Sequence, residues 1–177
     1  MDLKDYIRSI KDYPKKGILF RDITTLIKHE GAFSETINQI IERSKKFNFT
    51  KIAAIESRGF VFASAVSYVL KKPFVMLRKK NKLPAEVHSI DFELEYGTAT
   101  IEVHKDSINE NDSVLIIDDL IATGGTAEAA AKLVEISRGK VAAFIFVINL
   151  FDLGGSDNLT KKNYIVENLI NFPGHYF

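Results

Sequence analysis

The sequence of 177 residues contains no cysteine, which excludes a disulfide framework, a thiolate nucleophile and a zinc finger. This composition agrees with a reducing cytoplasm, which is the expected location. An excess of charge of one sign is also missing, because 24 Lys and Arg residues stand against 23 Asp and Glu residues. The net charge of +1 therefore gives no overall field that would favour nucleic acid or a membrane as a partner.

Long hydrophobic runs, repeats and low-complexity segments are absent as well. The longest apolar stretch, residues 141–150, is about half of a membrane span and includes Asn149. The first five residues show neither the basic start nor the apolar core of a signal peptide. The composition, 46% hydrophobic and 27% charged, is typical of a globular protein, and the length predicts one domain over residues 1–177 with a sizeable core.

Hydrophobic periodicity predicts an alternation of helices and strands along most of the chain. The N-terminal part is expected to form a short amphipathic helix over residues 3–10, a loop over residues 11–25 and a second helix over residues 33–47. Beyond it, apolar runs predict strands at residues 51–55, 74–77, 114–117 and 141–148, with helices at residues 60–70 and 126–137. Gly139 is the expected stop of the last of these helices.

The region between the second and third strands has a different pattern. A charged segment over residues 79–89, interrupted by Pro84, predicts a mobile loop, and alternating apolar residues over 90–103 predict a β-hairpin with one solvated face. The whole order indicates an α/β fold with a central, mostly parallel twisted sheet flanked by helices. The sheet is expected to carry an N-terminal arm over residues 1–30 and an inserted mobile loop and hairpin over residues 79–104.

Residues 114–126 are the most informative segment. An apolar run leads into Asp118 and Asp119, and a short turn then ends in Thr-Gly-Gly-Thr at the start of a helix-forming segment. Two glycines let the backbone N–H groups approach an anion, and the first N–H groups of a helix have no partner within it. Because two carboxylates can hold the hydroxyls of a sugar attached to that anion, the segment predicts a ribose-5-phosphate site. No Gly-Lys-Ser/Thr follows, so the loop is not a P-loop.

The segment 117–126, Ile-Asp-Asp-Leu-Ile-Ala-Thr-Gly-Gly-Thr, resembles the phosphoribosyl-pyrophosphate (PRPP) motif of the type I phosphoribosyltransferases. Other segments are similar to the bacterial-type members of this family that act on adenine. They are Phe20-Arg21-Asp22-Ile23, Glu56-Ser57-Arg58-Gly59-Phe60, Arg78-Lys79 with Lys82-Leu83-Pro84, Leu94-Glu95-Tyr96-Gly97, residues 149–155 (Asn-Leu-Phe-Asp-Leu-Gly-Gly) and Phe172-Pro173-Gly174-His175. The resemblance covers nearly the whole chain, and these motifs occur in the family's order.

The resemblance implies transfer of the 5-phosphoribosyl group of PRPP to adenine, which gives AMP and pyrophosphate through an oxocarbenium-like transition state. It implies Mg²⁺ carried by PRPP, with no direct protein ligand except through water at Asp118 or Asp119. These two residues would hold the ribose hydroxyls, and we expect them to act as carboxylates that perturb each other's protonation if buried. The 5′-phosphate would lie on Ala122, Thr123, Gly124, Gly125 and Thr126.

The resemblance also assigns the remaining groups. Pyrophosphate would be bound by Ser57, Arg58, Arg78, Lys79 and Lys82, with a non-proline cis peptide common in the turn that holds Arg58. Adenine would lie on Leu19, Phe20 and Arg21, and Glu95 would be the acid/base group near N7 or N9 of the purine. Arg78 commonly reaches into the neighbouring subunit of a homodimer. Asn81 stands where the family usually has glycine, and its tolerance of left-handed backbone should preserve the loop.

Two other interpretations stay open. Another purine, or orotate, could replace adenine within the same family, although the segments around Phe20 and Glu95 argue against this. Alternatively, the chain could be a non-enzymatic regulator that senses PRPP. Such a regulator would need a nucleic-acid-binding module and a basic surface, and the near-neutral chain has no spare length for either.

Overall fold

The computed structural model describes residues 1–94 and 97–174. Its main feature is a seven-stranded mixed sheet with the strand order β5-β6-β4-β3-β7-β8-β9, and a separate two-stranded sheet pairs β1 with β2. The strands are β1 (Arg8–Lys11), β2 (Leu19–Asp22), β3 (Lys51–Ile55), β4 (Phe74–Lys79), β5 (Val87–Glu93), β6 (Thr98–His104), β7 (Ser113–Ile121), β8 (Lys140–Leu150) and β9 (Val166–Phe172). The α-helices are α1 (Thr24–Ile27), α2 (Glu30–Ser44), α3 (Gly59–Leu70), α4 (Gly125–Ile136) and α5 (Gly155–Lys161).

The expected α/β architecture is confirmed. Strands β4, β3, β7, β8 and β9 run parallel to one another, and β3, β7 and β8 are apolar on both faces because each face is covered. One core cluster lies on the side of α2 and α3 and includes Ile40 and Phe62, both fully buried. A second cluster lies on the side of α4 and includes Leu133 and Phe144.

One edge of the sheet is antiparallel. Strand β6 pairs with β4 through Arg78 and Lys79, and β5 pairs with β6 along its whole length from Val87 opposite His104 to Glu93 opposite Thr98. Strand β4 therefore continues two residues beyond the predicted end, and the loop between β4 and β5 is shorter than the predicted residues 79–89. The two paired strands agree with the expected hairpin.

The N-terminal segment differs from its prediction. Instead of a helix over residues 3–10, a 3-10 helix at Leu3–Tyr6 is followed by β1, which pairs with β2 inside the predicted loop. Hydrogen bonds from Thr24 and then from Arg8 lower the pKa of the buried Asp22 carboxyl to about 2. The long-range contact of Arg8 with Asp22 favours the strand over the weak local periodicity of the segment.

The C-terminal part of the chain contains elements that were not predicted. Helix α5 and strand β9 follow β8, and β9 completes the parallel sheet at its other edge. Helix α4 ends near the predicted position, but the left-handed residue after it is Arg138 (φ 70°) rather than Gly139. Gly139 is required for space, because a Cβ there would lie 2.6 Å from Ile108. Within the described part of the chain, no helix combines the length and apolar character that a membrane crossing needs.

Candidate active site

A cleft of about 520 Å³ lies at the carboxyl ends of β3 and β7, where ligands bind in sheets of this type. It brings together most of the residues that the sequence singled out. The lining residues are Ile55, Glu56, Ser57, Arg58, Lys79, Asp118, Asp119, Leu120, Ile121, Ala122, Thr123, Gly124, Gly125, Thr126 and Ala127. The cleft thus joins an acidic pair, a basic turn and a glycine-containing loop.

Residues 122–126, called the phosphate loop below, form the turn after β7 and the first two residues of α4. Gly124 has φ +92°, a left-handed conformation that glycine adopts without steric cost, and it precedes the first residue of α4. The first N–H groups of α4 have no acceptors within the helix, and they point out of its N-terminal end towards the cleft. Together with the helix dipole and two threonine hydroxyls, they form a site suited to a phosphate-sized anion.

The acidic pair lies within β7, which continues to Ile121 rather than ending at Ile117 as predicted. Successive residues of a strand point to opposite faces, so Asp118 and Asp119 have different surroundings. Asp119 is buried, and its Oδ2 accepts a hydrogen bond of 2.6 Å from Nε of Arg58. Asp118 is half-buried against the start of α3, and its Oδ1 accepts from the Asp119 N–H at 2.8 Å.

The protonation of Asp118 is strongly perturbed. Burial raises its pKa well above the ordinary value, the negative charge of Asp119 raises it further, and Arg58 opposes both effects. The influence of Asp119 on the protonation of Asp118 agrees with the expectation from the sequence. Both residues were expected to act as carboxylates. At Asp118 the structure disagrees with this expectation, because burial favours the neutral form in the protein without ligand.

Replacing Asp118 with asparagine should stabilise the folded chain near neutral pH. A carboxyl whose pKa is raised on folding costs nothing below its unfolded pKa of about 3.9, but it destabilises the fold progressively as the pH rises towards its folded pKa. Asparagine cannot ionise, and it keeps an acceptor for the Asp119 N–H. We expect a gain of about 1 kcal/mol, roughly 2–4 °C for a chain of this size, in thermal unfolding at pH 7. The gain should disappear near pH 4, and a gain independent of pH would contradict the assignment.

The turn between β3 and α3 carries the first basic group. The peptide bond between Glu56 and Ser57 is cis, which confirms the non-proline cis peptide implied by the family resemblance. Arg58 follows at the N-terminus of α3, with its side chain about half exposed while Nε contacts Asp119. Its other guanidinium nitrogens can therefore reach an anion in the cleft while Nε holds the acidic pair.

The second basic group lies at the end of β4. Lys79 lines the cleft, whereas the Arg78 guanidinium pairs with Glu56 at 3.4 Å and Lys82 lies outside the lining. Glu56 also accepts a 2.9 Å hydrogen bond from the Lys79 N–H, and this bond, followed by those from Arg78, lowers the pKa of Glu56. The sequence did not indicate a role for Glu56, although this residue stands beside Ser57. It joins the ends of β3 and β4.

Asn81 has φ 66°, which confirms that asparagine accepts the left-handed backbone at this position. Its N–H donates to the buried Glu102 at 2.8 Å, and Ser89 donates to the other oxygen of the same carboxylate at 2.5 Å. The loop after β4 is therefore tied to the neighbouring strands.

The N-terminal residues expected near the base do not line the cleft. Leu19, Phe20 and Arg21 lie on β2, and the Arg21 side chain points to the C-terminal segment. Its guanidinium lies 4.2 Å from the ring centre of Phe172 and donates to the Pro173 carbonyl at 3.0 Å. A contact of Arg21 with a base would therefore use its backbone. Glu95 and His175 lie outside the described residues.

Comparison with known proteins agrees with this geometry. The family model described as the phosphoribosyl transferase domain matches residues 23–172. The chain belongs to the phosphoribosyltransferase family. Within this family, it is 82% identical over 175 residues to the adenine phosphoribosyltransferase of Pelagibacter ubique (strain HTCC1062), covering 99% of this chain and 100% of the relative.

Solved structures of phosphoribosyltransferases share the fold. The adenine phosphoribosyltransferase of Thermoanaerobacter pseudethanolicus superimposes with a TM-score of 0.92 at 46% identity, covering 96% of this chain and 98% of that one. The Saccharomyces cerevisiae enzyme, solved with adenine and D-2,5-dideoxy-2,5-imino-altritol 1,6-bisphosphate, superimposes with a TM-score of 0.88 at 34% identity, covering 95% and 96%. These superpositions cover nearly the whole chain.

Proposed function

We propose that this phosphoribosyltransferase transfers the 5-phosphoribosyl group of PRPP to adenine, producing AMP and pyrophosphate in the salvage of a purine base. The observation that carries the proposal is the arrangement of the cleft. A phosphate loop, an acidic pair and a basic turn adjoin one another there, and these groups suit the phosphate, ribose and pyrophosphate of one PRPP molecule. The 82% identity to an adenine phosphoribosyltransferase supports adenine as the acceptor.

The phosphate loop would bind the 5′-phosphate of PRPP. The donors to the phosphate would be the backbone N–H groups from Ala122 to Thr126 and the hydroxyls of Thr123 and Thr126. They would bind it without the help of a positively charged side chain. The positive end of the α4 dipole adds to this attraction. Binding at this remote phosphate holds the ribose so that its C1′ carbon faces the base.

Asp118 and Asp119 would hold the ribose hydroxyls. Asp119 is already fixed by its 2.6 Å contact with Arg58, so one carboxylate is oriented before the substrate binds. When the C1′–oxygen bond to pyrophosphate breaks, positive charge develops on the ribose, and nearby carboxylate charge stabilises it. The raised pKa of Asp118 makes the neutral form a hydrogen-bond donor to a ribose oxygen in the same site.

Ser57, Arg58, Arg78, Lys79 and Lys82 would bind the departing pyrophosphate. Arg58 and Lys79 line the cleft and reach this group directly, whereas Lys82 must approach with the loop after β4. Arg78 is paired with Glu56 of its own chain, and in a homodimer it would exchange this partner for pyrophosphate in the neighbouring site. We therefore propose a homodimer. We also propose that it acts in the cytoplasm, and that its partners are small molecules rather than nucleic acid or a membrane.

The donor set fits a Mg²⁺ ion that arrives with PRPP. Asp119 is bonded to Arg58, and burial opposes ionisation of Asp118, so the pair offers contact through water rather than a set of direct ligands. Within residues 1–94 and 97–174, no cluster of three or more acidic or histidine side chains could hold a metal ion. When bound, Mg²⁺ neutralises the charge that pyrophosphate carries as it leaves.

The base would be held by the N-terminal arm, residues 1–30. Phe20 offers a flat face for stacking, and backbone groups of Leu19 and Arg21 can read the exocyclic amino group of adenine. In the reaction, a ring nitrogen of adenine forms the bond to C1′ and gives up its proton. We assign Glu95 as the acid/base group for that proton, as the family resemblance implies.

Pyrophosphate release from PRPP and Mg²⁺ should occur with adenine and not with hypoxanthine, guanine, xanthine or orotate. A site built to hydrogen-bond one set of polar groups rejects a base that leaves those groups unpaired, by a factor of about 10⁴ or more. The five bases are compared at equal concentration with the purified protein. Turnover with another base would overturn the assignment of the arm, and silence with all five in a protein that binds PRPP would favour a PRPP-sensing regulator.

A further inference from the structure

Residues 151–155 (called the supporting turn) follow β8 and end at the first residue of α5, and they lie behind the phosphate loop and outside the cleft lining. Its last residue, Gly155, donates its N–H to the Ala122 carbonyl at 3.0 Å. This bond joins the supporting turn to the first residue of the phosphate loop. The two segments are about thirty residues apart in the sequence but are in direct backbone contact.

No side chain fits between the supporting turn and the phosphate loop. A Cβ on Gly155 would lie 2.4 Å from the Ala122 oxygen and 2.8 Å from the Gly124 nitrogen. In the opposite direction, a Cβ on Gly124 would lie 3.1 Å from Gly155 backbone atoms. Because all of these neighbours are backbone atoms, rotation of a side chain cannot relieve the collision.

The supporting turn is also held on its far side. Asp152 Oδ1 accepts a 2.6 Å hydrogen bond from the Gly174 N–H in the C-terminal segment. Leu153 packs against the core cluster next to α2 and α3, and a Cβ on Gly174 would lie 2.8 Å from it. The supporting turn therefore cannot move away freely, and an atom added at Gly155 would displace the phosphate loop instead.

We propose that Gly155 is a positioning residue that sets the shape of the phosphate loop. It contacts no substrate in the proposed reaction and acts through the Ala122 carbonyl and the Gly124 backbone. This inference rests on the proposed function, because it assumes that the loop binds a 5′-phosphate. A single carbon added behind the loop should therefore weaken the binding of ligands that carry the phosphate. The binding of ligands without the phosphate should not change.

The test compares AMP with adenosine, which differ only in the 5′-phosphate, by calorimetric titration of wild type, Gly155→Ala and Gly154→Asn. Gly154 is the matched control, because it lies in the same turn with open space around its Cβ position and has φ +77°, which asparagine tolerates. Gly155→Ala should weaken AMP binding by about 10-fold or more, the effect of losing a hydrogen bond to a charged group. Adenosine binding should stay unchanged, and Gly154→Asn should match wild type for both ligands.

Hydrogen exchange of the wild type provides a second measurement that does not depend on the folding of a variant. Because the Gly155 N–H bonds the phosphate loop, AMP should slow its exchange and adenosine should not. Three results with a wild type that prefers AMP would overturn this inference alone. Gly155→Ala could keep the same preference for AMP, or it could weaken the binding of both ligands equally. The third result is equal protection of the Gly155 N–H by both ligands. A wild type without preference for AMP would overturn the proposed function, and this inference with it.

Discussion

The Asp119→Asn variant should lose about 100-fold in kcat/KM and should bind PRPP more weakly. Asp119 is 6% exposed, and its carboxylate is the partner of Arg58 at 2.6 Å. Asparagine removes the carboxylate charge that would stabilise the positive charge developing on the ribose, and a 100-fold loss corresponds to about 2.7 kcal/mol of transition-state stabilisation. Here the substitution also removes the proposed grip on the ribose and frees the turn that would bind pyrophosphate. Steady-state kinetics and calorimetric titration with PRPP measure both effects.

Asp112→Asn is the matched control, because Asp112 is similarly buried and lies next to the opposite end of β7. It is 7% exposed, pairs with Lys51 at 2.9 Å and lies before the first residue of β7, away from the cleft. Its substitution should lower the free energy of unfolding and leave the kinetic constants near wild type. If both variants lose activity equally, the loss at Asp119 reflects the fold rather than the site. Wild-type kinetics in Asp119→Asn would show that the ribose contact is misassigned.

The parts of the fold that could be predicted are those where local pattern and tertiary packing agree. Helices α2 and α3 and the strands β3, β7 and β8 have periodicities that match their buried faces, so their predicted positions were close to correct, apart from the C-terminal end of β7. The N-terminal strands fail this condition. Their pairing depends on contacts such as that of Arg8 with Asp22, which lie fourteen residues apart and leave no periodic signal.

The site divides in the same way. The phosphate loop could be predicted because its glycines, threonines and helix start are contiguous in the sequence. The bond between Arg58 and Asp119 could not, since chain order places both residues at strand ends without giving the direction of their side chains. The support of Arg21 by Phe172, and of Ala122 by Gly155, joins segments that only the folded sheet brings together. A glycine in a motif indicates that another group approaches the backbone closely, but the sequence does not show which residue that group belongs to.

The largest effect of a single added carbon beside the cleft is expected for Gly59→Ala. A Cβ on Gly59 would lie 2.6 Å from Oδ1 of Asp118 and 3.3 Å from the Ile117 carbonyl. The Asp118 side chain is short and confined, so the carboxyl must leave its position beside the proposed ribose site. We expect kcat/KM to fall by about 100-fold or more, as when a group is displaced from catalytic geometry. The strain should also lower the free energy of unfolding by about 1–3 kcal/mol.

Gly31→Ala separates this collision from the ordinary effect of alanine in a helix. Gly31 lies in the first turn of α2, as Gly59 does in α3, but its nearest neighbour is the flexible end of Met1 at 3.3 Å. Alanine should therefore stabilise the chain there by about 0.5–1 kcal/mol and leave the kinetics unchanged. The loss of stability in Gly59→Ala should shrink when Asp118 is also replaced by alanine, because the colliding carboxyl is then absent, while the activity stays low. An equal loss of stability in both backgrounds would mean that Gly59 is required by the backbone of α3 and not by the acidic pair.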